Sequence, residues 1–319
     1  MTSKPRVCVA IEPDLVATAM GEAAAPATAR VETHVAACAS CRDDLARYRA
    51  IDAAVGTLRS TAPADGDADA ARERLVTRLA DLRTRILSYT VFPSSLGPIL
   101  IARSEHGVAL VEYLPREGVT ASRLFRMAGV EAHEDRGDLA SLQRELLEYL
   151  EGRRTRLDWP LDLRAARGDF ERAVLATTAA VPYGAVASYR GIAEQLGKPA
   201  AVRAVAQALR HNPLPIVVPC HRVIGSGGDL VGYAGDRLGL KERLLAVEGV
   251  PTQHARTPRI ARRALYHYEP NPSREYCLPT CGDIARRPIT MLFTSRAQAE
   301  SQGLVPCTTC HPDLYPLPQ

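Results

Sequence analysis

The chain has 319 residues, a formal net charge of +4 and eight cysteines. Its length predicts two or three domains of about 100–200 residues each. An apolar fraction of 46% with 24% charged residues argues against a disordered or fibrous chain. The sequence contains no run of about 18 apolar residues, as a membrane-spanning helix needs, and acidic residues near the start argue against a signal peptide. We therefore expect a cytoplasmic protein that does not enter membranes.

The first cysteines are spaced along one predicted helix. His34, Cys38 and Cys41 recur at i, i+4 and i+7, which places them on one helical face. Cys8 completes a possible Cys3His zinc site, and an Ala-rich helix that binds no metal is the alternative. The pattern resembles the zinc-binding anti-sigma fold over residues 1–60. This resemblance implies a protein partner, such as a sigma factor.

A helix and then a β-rich stretch are predicted next. Residues 61–70 are small and acidic, and an apolar residue then recurs on one helical face at Leu75, Leu79, Leu82 and Ile86. We expect a linker helix over 61–86. Three β-like runs follow, at Leu87–Phe92, Pro98–Ala102 and Val108–Tyr113. Helical spacing returns from Asp138 and again from Asp169, so the predicted fold class is α+β.

Two short helices are predicted after a Pro-Tyr-Gly turn. Ser188 is a candidate N-cap and Gly197 a C-terminal stop, after which Pro199 begins the second helix. Asn212, followed by proline, ends that helix, and Arg203 lies on one of its faces. The pair is a candidate helix-turn-helix, although helix hairpins are more often packing units.

A single cysteine, Cys220, stands in the middle of the chain. The apolar run 216–218 predicts a short buried strand before it, and His221 and Arg222 follow it. Neighbouring cations favour the nucleophilic thiolate, and the next, glycine-rich loop allows a flat ligand to approach the backbone. These residues alone leave a buried structural cysteine as an open alternative.

The motifs from Pro182 to Val250 point to a family. Pro-Tyr-Gly, Arg-Ala-Val, Asn-Pro and above all Pro-Cys-His-Arg-Val stand in the order of the O6-methylguanine-DNA methyltransferases, which this segment closely resembles. The likeness extends more weakly upstream to about residue 86. It implies a ribonuclease-H-like N-terminal subdomain over 87–165. A helical, winged-helix-like DNA-binding and methyl-acceptor domain is implied over 166–252, in a monomeric core.

The resemblance implies catalytic roles for five residues. Cys220 would accept the alkyl group, and His221 would relay a proton through water toward Glu248. Asn212 would hold the turn beneath the site, and the Tyr189 hydroxyl would donate a proton at O6 of guanine. The implied activity is that of a methylated-DNA–[protein]-cysteine S-methyltransferase, which repairs DNA in a single turnover because the thioether product is not hydrolysed.

The resemblance also implies how double-stranded DNA carrying O6-alkylguanine is bound. The reactive carbon is hidden in the duplex, so the nucleotide must be flipped out. Tyr189 would press on the phosphate beside the lesion, and Arg203 would fill the space left in the base stack. Tyr233 and the loop around Val223 would line the base pocket, with Lys241 beside it. No organic cofactor is implied, and a protein that only recognises the lesion would need no acceptor cysteine.

The last four cysteines form two pairs: Cys277 with Cys281, and Cys307 with Cys310. Four thiolates at this spacing suit tetrahedral zinc, and two disulfides are the alternative. The segment 264–319, which follows a basic linker over 253–263, resembles the Ada-like zinc domain that repairs methylphosphotriesters. That resemblance implies a second methyl acceptor at Cys277.

The Ada-like resemblance has gaps and leaves a second function open. Leu278 and Leu304-Val305 stand where arginines are expected, so a structural zinc knob is an alternative. With both clusters we expect two zinc ions. The alternative function is an alkylation-responsive regulator, in which the C-terminal domain accepts methyl from phosphotriesters and the N-terminal finger binds a protein.

Overall fold

The computed structural model describes residues 5–60, 69–77, 86–115, 122, 124, 130–235, 237–253, 257–270, 272–282 and 284–318. The chain divides into two compact units, residues 1–78 and 79–319. None of the described helices combines the length and the hydrophobicity that a bilayer crossing demands.

The first unit is helical. Its helices are α1 (Arg6–Ala19), α2 (Ala25–Ala37) and α3 (Ala39–Ser60), and residues 69–77 are also helical. Leu15, Val31 and Leu45 form its small core together with Cys8 and Cys41. Because so few apolar residues are buried here, the side chains of the cysteines make up a large part of the core.

The predicted linker helix is wrong at its C-terminal end. Ile86 is the first residue of a strand and pairs with Glu131 of a neighbouring strand. Leu79 and Leu82 lie outside the described residues, and Leu75 is exposed. Backbone pairing to a non-local strand therefore overrides the helical spacing at Ile86, as tertiary context often does.

The second unit begins with a four-stranded sheet that contains the three predicted β-runs. Its strands are β1 (Ile86–Phe92), β2 (Ile99–Ser104), β3 (Gly107–Tyr113) and β4 (Glu131–Glu134), in the order β3-β2-β1-β4. Helix α4 (Ala140–Leu150) follows, and its Leu146 and Tyr149 belong to the same core cluster as Ile99 and Ile101 of β2. The first part of this unit is thus mixed α and β, as predicted.

A helical domain follows. Its elements are α5 (Asp169–Ala179), β5 (Ala185–Ser188), α6 (Tyr189–Gln195), α7 (Val202–Arg210), β6 (Val223–Ile224) and α8 (Leu238–Val247). Ser188 is the N-cap of α6, since its hydroxyl accepts a hydrogen bond from the Gly191 N–H at 2.9 Å. Gly197, with φ +68°, ends the α6 segment, and a 3-10 turn at Pro199–Ala201 leads into α7. The predicted helix pair is confirmed.

The C-terminal strands share a sheet with this helical domain. They are β9 (Tyr266–Tyr268), β10 (Glu275–Cys277), β11 (Met291–Phe293) and β12 (Val305–Pro306), with helix α9 (Arg296–Ser301) before β12. The six-stranded sheet has the order β12-β10-β9-β11-β5-β6. Short strands β7 (Thr252–Gln253) and β8 (Arg259–Ile260) pair separately within the basic segment. Here Arg259 forms an ion pair with Asp229 at 2.9 Å.

Candidate active site and metal centres

Cys220 follows a tight turn that one asparagine organises. The Asn212 side-chain oxygen accepts a hydrogen bond from the Leu214 N–H at 2.9 Å. Its amide nitrogen donates to the Val218 carbonyl at 2.9 Å and to Cys220 Sγ at 3.2 Å. The predicted support of the turn by Asn212 therefore extends to a direct contact with the thiol.

The buried strand predicted over 216–218 is wrong, because these residues form a turn. Pro213 and Pro215 each remove a backbone donor and fix φ, which disfavours pairing in a sheet. Ile216 has a φ of +76°, a region that a β-branched residue rarely adopts. Such strain persists only where the surroundings impose it, and it concentrates at functional sites.

The Cys220 thiol needs a base. Its side chain is buried, with 9% of the residue exposed. Burial raises the pKa of the thiol, while the Asn212 hydrogen bond and the positive charge of Lys241 lower it; the net shift is upward. The thiol therefore does not ionise unaided at neutral pH, and a nucleophilic role requires a proton acceptor nearby.

His221 and Glu248 form a fully buried pair. Nε2 of His221 lies 2.6 Å from Oε1 of Glu248. Burial raises the pKa of Glu248, but the pair with His221 and the charge of Arg222 lower it more, to about 2. The carboxylate can therefore only accept, so Nε2 carries the proton in the neutral imidazole. Burial holds the pKa of His221 below its ordinary value, and Nδ1, which has no partner among the described residues, is left as the base.

Three groups around Glu248 were not identified from the sequence. Arg222, which the sequence suggests only as a cation beside Cys220, donates through Nε to Oε2 of Glu248 at 2.9 Å. The Tyr149 hydroxyl donates to Oε1, and the backbone N–H of Gly184 donates to Oε2 at 3.1 Å. Tyr149 is 99 positions away in the chain. No spacing pattern could have found it.

A cavity of about 260 Å³ opens beside Cys220. Its lining includes Tyr113, Arg210, Asn212, Cys220, Tyr233 and Arg237. The size is just below the range of about 300–1,000 Å³ typical of pockets for drug-sized ligands, and so suits a small ligand group. The hydroxyls of Tyr233 and Tyr113 lie 2.8 Å apart, and burial raises the pKa of both. Tyr233 thus lines the cavity, with Tyr113 as an unforeseen partner.

Tyr189 is close enough to Cys220 to be affected by its charge. Burial and then the negative charge of an ionised Cys220 raise the pKa of its hydroxyl to about 12, so it stays protonated at neutral pH. Among the described residues, its hydroxyl makes one long hydrogen bond, to the carbonyl of Val231 at 3.4 Å. The hydroxyl is therefore able to donate a proton to another group.

Lys241 is buried and holds the loop between Val223 and Val231. Its ammonium group is buried and donates to the carbonyls of Val223 at 2.6 Å and Val231 at 3.0 Å. Burial lowers its pKa to about 8, against the opposing effect of Cys220. Val223 itself is fully buried in β6, and its side chain is not among those lining the cavity. Lys241 therefore links the backbone at Val223 to that at Val231, and neither Lys241 nor Val223 lines the cavity.

Arg203 is exposed on α7, whose opposite face buries Val205 and Leu209. In the described part of the chain it has no ion-pair partner. Its guanidinium is therefore available to a ligand outside the protein.

The N-terminal cluster brings together the four predicted ligands, Cys8, His34, Cys38 and Cys41, with their ligand atoms within 4.8 Å of one another. The prediction that His34, Cys38 and Cys41 share one helical face is wrong, because α2 ends at Ala37 and Cys38 has an extended backbone before α3 begins. The Arg42 side chain donates to the carbonyls of Val35 and Ala36 at 3.0 Å each and so caps α2.

The distances in this cluster suit a tetrahedral metal. Bonds of about 2.3 Å to sulfur and about 2.0–2.1 Å to nitrogen set sulfurs about 3.8 Å apart and a sulfur about 3.6 Å from the nitrogen. Sγ of Cys8 lies 3.9 Å from Sγ of Cys38 and 3.7 Å from Nε2 of His34. The four residues therefore fit a metal ion.

The C-terminal cluster also fits a metal. The sulfurs of Cys277, Cys281, Cys307 and Cys310 lie within 4.8 Å of one another. Those of Cys281 and Cys307 are 4.0 Å apart, and all eight cysteines of the chain are free, which contradicts the disulfide alternative. The N–H groups of Leu278 and Thr309 donate to the sulfurs of Cys310 and Cys307. Such bonds favour the thiolate form that a metal needs.

Comparison with known proteins covers the middle of the chain. Residues 87–163 match the ribonuclease-like domain, and residues 169–250 the DNA-binding domain, of the 6-O-methylguanine DNA methyltransferases. A methylated-DNA–protein-cysteine methyltransferase from Methanosarcina barkeri is 36% identical over 168 residues, which is 50% of this chain and 96% of the relative. A constitutive one from Bacillus subtilis is 35% identical over 162 residues, 51% and 95% of the two chains. The solved structure of Mycobacterium tuberculosis OGT in complex with DNA is 36% identical, aligns with 50% of this chain and 92% of that one, and has a TM-score of 0.44.

Proposed function

This chain belongs to the O6-methylguanine-DNA methyltransferase family, and we propose that it repairs O6-alkylguanine in duplex DNA by transferring the alkyl group to Cys220. Two buried contacts carry the proposal: Asn212 donates a hydrogen bond to Cys220 Sγ at the wall of a small cavity, and His221, the next residue in the chain, pairs with Glu248. A protein that only recognised the lesion would need neither a thiol there nor a base beside it.

The proposed reaction is a displacement at saturated carbon. The thiol proton of Cys220 passes through a water molecule to Nδ1 of His221, whose charge Glu248 stabilises. The sulfur then forms a bond to the alkyl carbon as the bond from that carbon to O6 breaks, and the electron pair stays on guanine. The hydroxyl of Tyr189 protonates the leaving base and regains its proton from His221. The products are S-alkylcysteine and guanine, so each molecule reacts once.

We propose that the lesion reaches this cavity by base flipping, which costs a few kcal/mol and costs least for mispaired bases. Arg203, exposed on α7, enters the stack in place of the flipped nucleotide. Tyr189 presses on the adjoining phosphate. Double-stranded DNA is thus the proposed partner of the second unit.

The direct test is the mass of the Cys220 peptide after exposure of the full chain to O6-methylguanine duplex. We expect one added methylene on that peptide and none in a Cys220→Ala variant. A modification found on another peptide, with the Cys220 peptide unchanged, would refute the proposal.

The Cys277 peptide is followed in the same digest after exposure to methylphosphotriester DNA. Methyl found there favours the regulator alternative, in which the Ada-like domain is a second acceptor.

We further propose that each cluster binds one zinc ion, because soft thiolate ligands in a tetrahedral arrangement select zinc. Native mass spectrometry of the purified chain is expected to find about two zinc ions. The Cys41→Ser and Cys281→Ser variants are each expected to lose one. A chain that binds a single ion, retained in one of these variants, would contradict the assignment of the other cluster.

Zinc would hold each small domain together, and the N-terminal unit would present a surface to a protein partner such as a sigma factor in the cytoplasm.

A further inference from the structure

The C-terminal cysteine cluster is joined to the DNA-binding domain by a continuous row of paired strands. Cys277 of β10 pairs with His267 of β9, His267 with Leu292 of β11, and Leu292 with Val186 of β5. Neighbouring strands lie about 4.8 Å apart, so this cluster ligand is three strands, or about 14 Å, from β5. Strand β5 lies between two parts of the proposed alkyl-transfer site: the turn that donates to Glu248 precedes it, and the helix that begins at Tyr189 follows it.

At its first end, β5 follows the turn that holds Glu248. The N–H of Gly184 donates to Oε2 of Glu248, and the Gly184 carbonyl accepts from the N–H of Thr294 at 3.1 Å. The Gln298 side-chain amide of α9 donates to the carbonyl of Tyr183 at 2.8 Å. A Cβ added at Gly184 would lie 2.3 Å from this Gln298 amide nitrogen. C-terminal residues thus fix the turn from which one donor to the catalytic acid comes.

At its second end, β5 leads into the helix that begins at Tyr189. The N–H of Ser188 donates to the Thr290 carbonyl at 2.9 Å, just before β11. Gly191, in the first turn of α6, packs so closely on the same segment that an added Cβ would lie 2.4 Å from the Thr290 carbonyl oxygen. The position of Tyr189 therefore depends on a strand that only the C-terminal segment supplies.

The cluster and the contacting helix are tied to each other. The N–H of Cys307 donates to the Tyr276 carbonyl at 3.0 Å, next to Cys277. Tyr276 is fully buried, and its hydroxyl donates to Glu300 of α9 at 2.8 Å and accepts from Arg296 at 3.3 Å. Helix α9 also carries Gln298. Loss of a metal ion that holds the four sulfurs together would therefore loosen β10, β12 and the support of α9 at the same time.

We propose that the segment from β9 to β12, fixed by its cysteine cluster, positions the alkyl-transfer site, with Gln298 as a positioning residue for Glu248. This inference rests on the proposed function. It makes the C-terminal cluster necessary for full reactivity of Cys220, whether or not Cys277 itself accepts methyl. The coupling runs through the backbone ladder from Cys277 to β5 and through α9 to the Tyr183–Gly184 turn.

The first test compares two glutamines one helical turn apart. Gln298→Ala in the full chain is expected to slow alkyl transfer from free O6-benzylguanine about fivefold at neutral pH, a typical coupling between sites. The loss should shrink at alkaline pH, where hydroxide in place of His221 removes the thiol proton. Gln302→Ala, whose side chain is exposed, is expected to leave the rate unchanged. An equal loss at both pH values would mean a general loss of structure and would overturn the positioning role.

The second test removes one cluster ligand. Cys281→Ser is expected to lose one zinc ion, speed amide hydrogen exchange in residues 185–192 and slow benzylguanine transfer about tenfold. Cys281→His, which keeps a zinc ligand, is expected to restore exchange and rate, and guards against a variant that merely misfolds. Metal loss with unchanged exchange and rate would overturn the proposal. A wild-type chain that leaves Cys220 unmodified would instead refute the proposed function, and the exchange measurement would still decide the coupling.

Discussion

Glu248→Gln is expected to slow alkyl transfer to Cys220 about a hundredfold and to lower the free energy of unfolding by about 3 kcal/mol. The carboxylate fixes the His221 proton on Nε2 and stabilises the imidazolium that forms, which an amide cannot do. The amide also leaves the buried Arg222 guanidinium without its counter-charge. The rate is measured with free O6-benzylguanine, and stability by denaturant unfolding of the full chain.

The matched control for this variant is Tyr149→Phe. It removes one hydrogen bond to Glu248 and keeps the charge, so a smaller loss of both rate and stability is expected. A Glu248→Gln variant with the rate of the unaltered protein would contradict the role of His221 as base, because that role depends on the ionised acid.

The same network predicts how stability depends on pH. The pKa of Glu248 is about 2 in the fold against 4.5 for the ordinary group. A depressed pKa contributes stability that is complete above the unfolded value and is lost as the pH falls through the folded one. Stability is therefore expected to fall between pH 4.5 and about 2, and Glu248→Gln should lack this part of the acid transition.

Arg203→Ala is expected to slow repair of duplex DNA about a hundredfold while changing transfer from free O6-benzylguanine less than about twofold. Flipping a nucleotide costs a few kcal/mol, and the guanidinium offsets part of that cost only when a base stack is present. Single-turnover rates with the two substrates separate this step from the chemistry at Cys220.

Arg172→Ala serves as the control for lost positive charge. Arg172 is exposed on α5, pairs with Asp169 at 2.6 Å and is not one of the residues assigned to the site. It is expected to change the duplex rate little. If Arg203→Ala lowered both rates equally, α7 would support the fold or the acceptor, and the flipping role would be refuted.

Local sequence signals predicted well where one short segment decides the structure. The N-cap at Ser188 and the stop at Gly197 placed the two helices, because caps and positive φ act within one turn. The cysteine spacings predicted both clusters, since a metal draws its ligands from short loops and helix ends. The helical spacing through Ile86 predicted the wrong structure because Ile86 pairs with a distant strand. The apolar run at Ile216 predicted a strand wrongly because two prolines favour a turn there.

The sequence by itself determined the family, predicted Cys220 as the acceptor and predicted both cysteine clusters, because each depends on residue identity within a few positions of its neighbours. Only the tertiary structure decided what surrounds the acid and what holds the site in place. Tyr149, Gly184 and Arg222 meet at Glu248 because a helix, a turn and a loop far apart in the chain are packed against one core. The sheet that joins Cys277 to β5 likewise forms by pairing of strands that are distant in the chain, and spacing within one short segment does not reveal which strands pair.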